Sequence, residues 1–193
     1  MHRGTDGALA AQDHLALRRL LPVFDAAGLP LALHVDLTAV LWGKLLLNLN
    51  NAVNALSGLP LRAQLLDRNL RCSTSALIGE TLALLRRAGI RPAQMSPLPP
   101  RWMPRVLRLP TPLFQRVAAR LLRIDEKARS SMADDLALGR PTEVDAINGE
   151  VLRLAARLGR RAPINQRIVE LVKAWPTSPQ AVGGQALRRA LGV

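Results

Sequence analysis

The chain has a single cysteine, Cys72, so no internal disulfide can form. It has no tyrosine, and tryptophan and phenylalanine bring the aromatic share to only 3%, too few for a platform that stacks single-stranded nucleic acid. The three histidines, His2, His14 and His34, have no metal-ligand spacing, and with one cysteine they leave no zinc site. No window approaches the roughly 20 apolar residues of a membrane span. Asp6, Gln12 and Asp13 interrupt the N-terminus and no apolar core follows, so a secretory signal is not expected and a cytoplasmic location is. Acidic residues are also scarce. The 14 of them face 27 basic residues, for a net charge of +13, and of the basic residues only Lys44, Lys127 and Lys173 are lysines.

The excess of positive charge is strongest between Arg86 and Arg129, where acidic residues hold off until Asp125 and Glu126. Such a field raises the local concentration of anions: phosphorylated cofactors, carboxylate substrates, nucleic acid or acidic lipid. A solvated arginine-rich surface is the plainer reading. Scattered arginines, missing aromatics and no helix-turn-helix pattern argue against a specific nucleic-acid binder. At 193 residues and 49% hydrophobic, the chain can build one domain with a real core, or one domain and a fragment of another.

What is present centres on residues 40–60. This apolar run, which a fold would bury, carries one lysine and four asparagines. Lys44 and Asn48 lie four apart, one above the other on a helix, and Asn51 falls on the same side near the next turn. An unpaired buried ammonium is very costly, so the stripe either faces solvent or lines a pocket. Trp42 and the surrounding leucines favour the pocket.

The chain reads as follows. Residues 1–10 are a turn-rich lead-in. Residues 12–27 have helical spacing interrupted by Pro22, with Gly28 as a stop, and 31–35 form a short strand. Asp36 caps a helix running to about residue 56, which Ser57 to Pro60 end. Helices are expected at 61–66, 69–88, 101–107, 112–122, 129–138, 143–158 and 163–174, with a proline-rich loop at 91–100. Residues 176–184 read as loop, and the tail from Gln185 as a frayed turn or two. From residue 36 onward the expectation is all-helical.

A second polar cluster spans 130–150. Ser131 and Asp135 share a helix face. Thr142 and Asp145 have capping-box spacing, which is a purely structural reading. Glu143 sits at a helix start between a proline turn and a buried run, where the helix dipole favours its ionised form. An acidic residue in a first turn is nonetheless commonly structural.

Together, Leu41-Trp42-Gly43-Lys44-Leu45-Leu46-Leu47-Asn48 and the run from Ser130-Ser131-Met132 through Arg140-Pro141-Thr142-Glu143-Val144-Asp145-Ala146-Ile147-Asn148-Gly149 resemble the C-terminal domain of ketopantoate reductase (2-dehydropantoate 2-reductase). The likeness covers roughly residues 36–175. It implies a mostly α fold: a helical bundle over 36–193 that binds substrate and carries the catalytic lysine, preceded by an αβ remnant of a Rossmann domain over 1–35. It implies NADPH-dependent reduction of a 2-oxo acid such as ketopantoate, in pantothenate biosynthesis. By this resemblance Lys44 protonates the ketone oxygen, Glu143 pairs with the lysine region and binds a substrate hydroxyl, Asn48 and Ser131 hold the substrate, and Asp135 supports the site. The family's next asparagine position is Ala52 here, with Asn51 and Asn54 nearby, so Asn51 is a further candidate and which of the two replaces it stays open.

The larger departure is the absence of Gly-x-Gly-x-x-Gly, with no βαβ unit expected to carry it. Gly183-Gly184 does not lead from a strand into a helix. A dinucleotide pyrophosphate needs that glycine turn and helix N-terminus. The chain is therefore expected to be a substrate domain without the cofactor domain, inactive alone, working with a separate Rossmann partner or as a homodimer. The alternative is a non-catalytic helical module for dimerisation or interaction, docking through apolar surface that an absent domain would cover.

Overall fold

The computed structural model describes residues 9–120, 122–175 and 180–193. Its first unit is a small βαβ. Strand β1 (Leu9–Gln12) and strand β2 (Leu31–His34) pair in parallel, Leu9 opposite Leu31 and Gln12 opposite His34, with helix α1 (Leu15–Ala26) as the crossover. This corrects three expectations: residues 9–10 are strand rather than lead-in, Gln12 ends that strand rather than starting the helix, and a βαβ unit does exist. Leu-Ala-Ala-Gln has almost no strand preference of its own, and it is a strand because β2 supplies its hydrogen-bond partners. Residues 1–8 of the expected lead-in lie outside the described residues. Helix α1 runs through Pro22 and buries none of its residues, leaving Leu15 73% and Val23 63% exposed.

From residue 36 onward the chain is helical. Helix α2 (Leu37–Asn48) starts at Asp36, whose carboxylate accepts from the Ala39 amide at 2.9 Å, as the sequence predicts. The single helix expected to residue 56 is interrupted at Leu49. Helix α3 (Asn50–Ser57) resumes after it and ends at Gly58 in the left-handed conformation. Helix α4 (Leu61–Leu66) leads to the 20-residue helix α5 (Arg68–Arg87), capped by Asp67 on the amides of Asn69 and Leu70. A 3-10 turn (Pro100–Trp102), α6 (Met103–Leu107) and α7 (Thr111–Val117) follow, α7 stopping short of the expected residue 122. Then come α8 (Ser131–Ala137), α9 (Val144–Arg157) and α10 (Pro163–Ala174), the last with the expected bounds.

The tail is not frayed. It forms α11 (Gly184–Leu191), which buries Leu187 and Leu191 against α5. A Cβ at Gly184 would lie 2.7 Å from an Asp67 carboxylate oxygen, so a glycine is what lets α11 start against the α5 cap. Of the loop expected at 176–184, residues 176–179 lie outside the described residues.

Helix α5 is the axis of the bundle, with α6, α10 and α11 packed on it, α9 on α10, and α3 on α8. The core runs through Leu46, Leu56, Leu77, Phe114, Met132 and Ile168, each no more than 1% exposed. Two polar contacts lock it. Glu80 of α5 accepts from the amides of Ile164 and Asn165 at 3.1 and 2.9 Å, capping α10, whose own N-cap Ala162 cannot. Arg71 is fully buried. It donates to the carbonyls of Leu65, Leu107 and Leu109 and lies over the Phe114 ring at 4.2 Å.

Candidate functional site

Helix α2 divides its residues cleanly. Trp42, Gly43 and Leu46 are buried, while Leu41, Lys44 and Leu47 are exposed and Asn48 is half-buried. The Lys44 ammonium makes no hydrogen bond or ion pair among the described residues, and neither does the Asn48 amide. Exposed Leu41 (57%) and Leu47 (37%) flank them, so unspent polar groups stand in uncovered apolar surface.

The position of Lys44 is set from behind. Gly43 faces the loop after α5, where the Ala93 amide donates to the Ala39 carbonyl at 2.8 Å. A Cβ at Gly43 would overlap the Ala93 carbonyl oxygen and come within 2.8 Å of Met95 Cγ. The backbone-to-backbone contact that holds this turn of α2 therefore exists only because the residue before Lys44 is glycine.

The interruption at Leu49 sorts the asparagines. Ala52, four residues after Asn48, is fully buried in the core. Asn51 instead is half-buried, with a side chain that makes no hydrogen bond among the described residues. Asn50 and Asn54 point the other way into a polar network. Asn50 exchanges hydrogen bonds with Gln64 (2.7 and 3.2 Å) and accepts from Thr74. Asn54, 0% exposed, donates to the Leu59 carbonyl at 2.8 Å and accepts from the Ser130 amide at 2.9 Å.

That last bond carries the second cluster to the first. Ser130 is the N-cap of α8, accepting from the Ala133 amide, and its hydroxyl donates to the Asn51 carbonyl at 3.3 Å. With Ser130 spent on the cap, the adjacent Ser131 is exposed at the first turn, and its hydroxyl makes no hydrogen bond among the described residues. Asn51 and Ser131 thus sit on packed helices, α3 and α8, whose contact includes the Ser130–Asn51 hydrogen bond. Sequence reasoning leaves Asn54 beside Asn51 as a candidate for the family's asparagine position, and does not assign Ser130 the cap of α8. The doubled serine before an apolar run signals a cap, but not which serine takes it.

Asp135 pairs with Arg140 at 3.1 Å, and the Arg140 amide donates to the Asp135 carbonyl at 2.8 Å. Both contacts hold the turn that leads to Glu143. The capping box expected at Thr142 and Asp145 does not form. Glu143 is itself the N-cap of α9, without a side-chain cap, and Asp145 binds Lys173 at 2.8 Å. The reason is register: the helix starts one residue later than the box requires. The Glu143 carboxylate is exposed, and no hydrogen bond or ion pair joins it to Lys44. Asn148 is buried, donating to Asn165 across α9 and α10, and serves the core.

Neither βα turn among the described residues carries the glycines a dinucleotide needs: Val35-Asp36 after β2 has none, and its Asp36 carboxylate caps α2. Gln12-Asp13-His14 after β1 has no glycine, the His14 ring accepts from the Ala16 amide at 3.2 Å, and the Asp13 carboxylate, held low by its hydrogen bond from Arg18, puts a negative charge in the turn. No pyrophosphate cradle is assigned to these residues.

Residues 36–175 match the family model described as ketopantoate reductase PanE/ApbA C terminal. The fold is similar to a PanE/ApbA family ketopantoate reductase from Ralstonia eutropha JMP134, 25% identical, with a TM-score of 0.66 over 87% of this chain and 51% of that one. It is similar to a dimeric ketopantoate reductase from Staphylococcus aureus, at 18% identity and a TM-score of 0.68 over 91% and 56%. A D-mandelate dehydrogenase with NADH and anilino(oxo)acetate gives 18% and 0.64 over 84% and 62%. The chain therefore spans about half to three fifths of the length of these structures. No curated protein matches it.

Proposed function

This chain belongs to the ketopantoate reductase family, matching its C-terminal domain, and from that premise we propose that it holds the substrate and delivers the proton in an NADPH-dependent reduction of a 2-oxo acid such as ketopantoate. The observation that carries the reading is the stripe of Lys44, Asn48 and Asn51, polar side chains with no partner among the described residues, beside exposed Leu41 and Leu47. Polar groups that a fold leaves unsatisfied next to uncovered leucines are arranged for something that docks there.

Reduction of a ketone develops negative charge on its oxygen. An ammonium at that oxygen stabilises the charge and then gives up its proton, and Lys44 takes this role. The amides of Asn48 and Asn51 and the hydroxyl of Ser131 orient the oxygens of the substrate. Glu143 accepts from a substrate hydroxyl once the site is closed, and Asp135 acts through Arg140 by holding the turn that carries Glu143. NADPH is the family's reductant. No step is assigned to it on the residues described, because the Asp13–His14 turn does not fit it.

Calorimetric titration of the chain with ketopantoate tests this. Binding is expected, and Lys44→Ala is expected to weaken it by about tenfold or more, the scale of one charge-assisted contact. No binding by the folded chain, or equal binding by the variant, overturns the reading. NADPH oxidation in the presence of ketopantoate is expected to be absent. Turnover that disappears in Lys44→Ala would show that the chain carries its own cofactor site.

A second reading rests on the βαβ unit. Exposed Leu15, Val23 and Val35, the last 85% exposed, suit a module that associates with a second copy or with a Rossmann-type partner chain. The dimer reported for the Staphylococcus aureus relative is a precedent. Sedimentation of the chain, with a Val23→Glu variant that should abolish any dimer, separates this reading from the first.

A further inference from the structure

We propose that the arginine-lined cleft at the C-terminal end of α5 binds a small molecule carrying a di- or triphosphate group. The cleft has a volume of about 1180 Å³, open to solvent, and is lined by Arg86 from the last turn of α5, Arg91 from the following loop, and Arg101 and Arg105 from the 3-10 turn and α6. That is ample for a nucleotide-sized ligand, since ligand pockets run to about 1,000 Å³.

Its charge is uncompensated. None of the four guanidinium groups makes an ion pair or side-chain hydrogen bond among the described residues, and no acidic residue lines the cleft. From residue 81 to residue 124 the sequence contains no Asp or Glu at all. The nearest carboxylate on the same helix, Glu80, is committed to the α10 amides. Some exposed arginines elsewhere are paired, Arg153 and Arg157 with Glu150, Arg167 with Glu170 and Arg140 with Asp135. Others such as Arg116 and Arg120 make no ion pair among the described residues, so what sets the four apart is that they line one concavity with no carboxylate in it. Four guanidinium-bearing side chains without an ion pair among the described residues, lining one concavity, set up a positive potential there. Their planar forks match phosphate oxygens two at a time.

The walls are stiff. Pro99 and Pro100 fix the backbone leading into Arg101, and Arg105 is held over the Trp102 ring at 5.0 Å, so less ordering is needed on binding. The cleft is separate from the Lys44 stripe but shares the loop that carries Arg91 and, two residues on, Ala93, which rests on Gly43. A ligand that contacts this loop therefore bears on the turn of α2 that presents Lys44.

Titration of the full chain with sodium tripolyphosphate tests the proposal. One site is expected, with affinity falling as salt rises from about 50 to about 300 mM. Arg101→Gln with Arg105→Gln should weaken binding about tenfold or more, and Arg91→Gln alone by about threefold, while Arg116→Gln with Arg120→Gln, which removes equal charge outside the cleft, should change it less than about twofold. All these arginines are exposed, and circular dichroism checks that the variants fold. Equal loss in both double variants would mean a diffuse field and overturn the site. No binding by the folded chain, equal binding of citrate, or displacement of tripolyphosphate by a lower concentration of short duplex DNA would each overturn the phosphate-ligand assignment.

Discussion

Replacing Gly43 by alanine probes how the lysine-bearing helix is held. The added Cβ would overlap the Ala93 carbonyl oxygen and stand 2.8 Å from Met95 Cγ and 3.1 Å from the Ala93 carbonyl carbon. Met95 is an exposed, flexible side chain and can move aside, but the Ala93 backbone cannot shift without stretching its 2.8 Å hydrogen bond to Ala39. Overpacking of this kind costs about 1–3 kcal/mol. Losing the hydrogen bond adds about 1 kcal/mol. The better helix propensity of alanine returns about 1 kcal/mol. The net expectation is a destabilisation of about 1–3 kcal/mol, read as a lower midpoint in urea unfolding followed by circular dichroism. Gly79→Ala is the internal comparison. It sits mid-helix in α5 with nothing within 4 Å of the new Cβ, so it should stabilise by about 0.5–1 kcal/mol. Hydrogen exchange at the Ala93 amide should speed up in Gly43→Ala and stay unchanged in Gly79→Ala. A Gly43→Ala protein as stable as the parent, with Ala93 still protected, would refute the claim that this glycine secures the loop to α2.

Arg71→Met should destabilise by about 3 kcal/mol or more, because three carbonyls lose their donor in a dry site, and thermal unfolding would reveal it. Asn54→Ala removes the acceptor for the Ser130 amide and a donor to Leu59, and is expected to cost about 2–3 kcal/mol and to raise hydrogen exchange in α8. Burial acts to raise the Glu150 carboxyl, but hydrogen bonds from Arg153 and Arg157 outweigh it and hold the group below its ordinary 4.5. A depressed folded value stabilises above the unfolded one and is lost as pH falls through the folded value. Glu150→Gln should therefore cost under about 1 kcal/mol near neutrality, and the difference should fade as the pH drops below about 4.5, as acid titrations of both proteins would show.

The helical part was legible because its signals are local. Asp36 before an apolar run, Pro163 at a helix start, and Gly58, Gly89 and Gly159 after the last apolar turns each act within a few residues, and the elements fall where those residues place them. The spacing of Lys44 and Asn48 likewise put both on one stripe. Strand β1 was not legible, since Leu-Ala-Ala-Gln becomes a strand only when Leu31–His34 lies beside it. Helix α11 looked like a frayed tail for the same kind of reason. Its arginine-rich sequence has no side-chain cap, and what holds it is Leu187 and Leu191 against α5.

The sequence by itself determined the family, the helical class and the residue types along the Lys44 stripe, because periodicity and short motifs depend on neighbours along the chain. Tertiary structure alone decided which asparagines are spent and which are open. Asn50 and Asn54 meet Gln64, Thr74 and Ser130 across the fold, and the side chains of Asn48 and Asn51 make no hydrogen bond among the described residues. It also decided which serine caps α8, that Gly43 is where a loop crosses, and that four arginines from separate elements share one cleft. Hydrogen-bond partners and close approaches between residues tens of positions apart are properties of packing, and no local pattern encodes them.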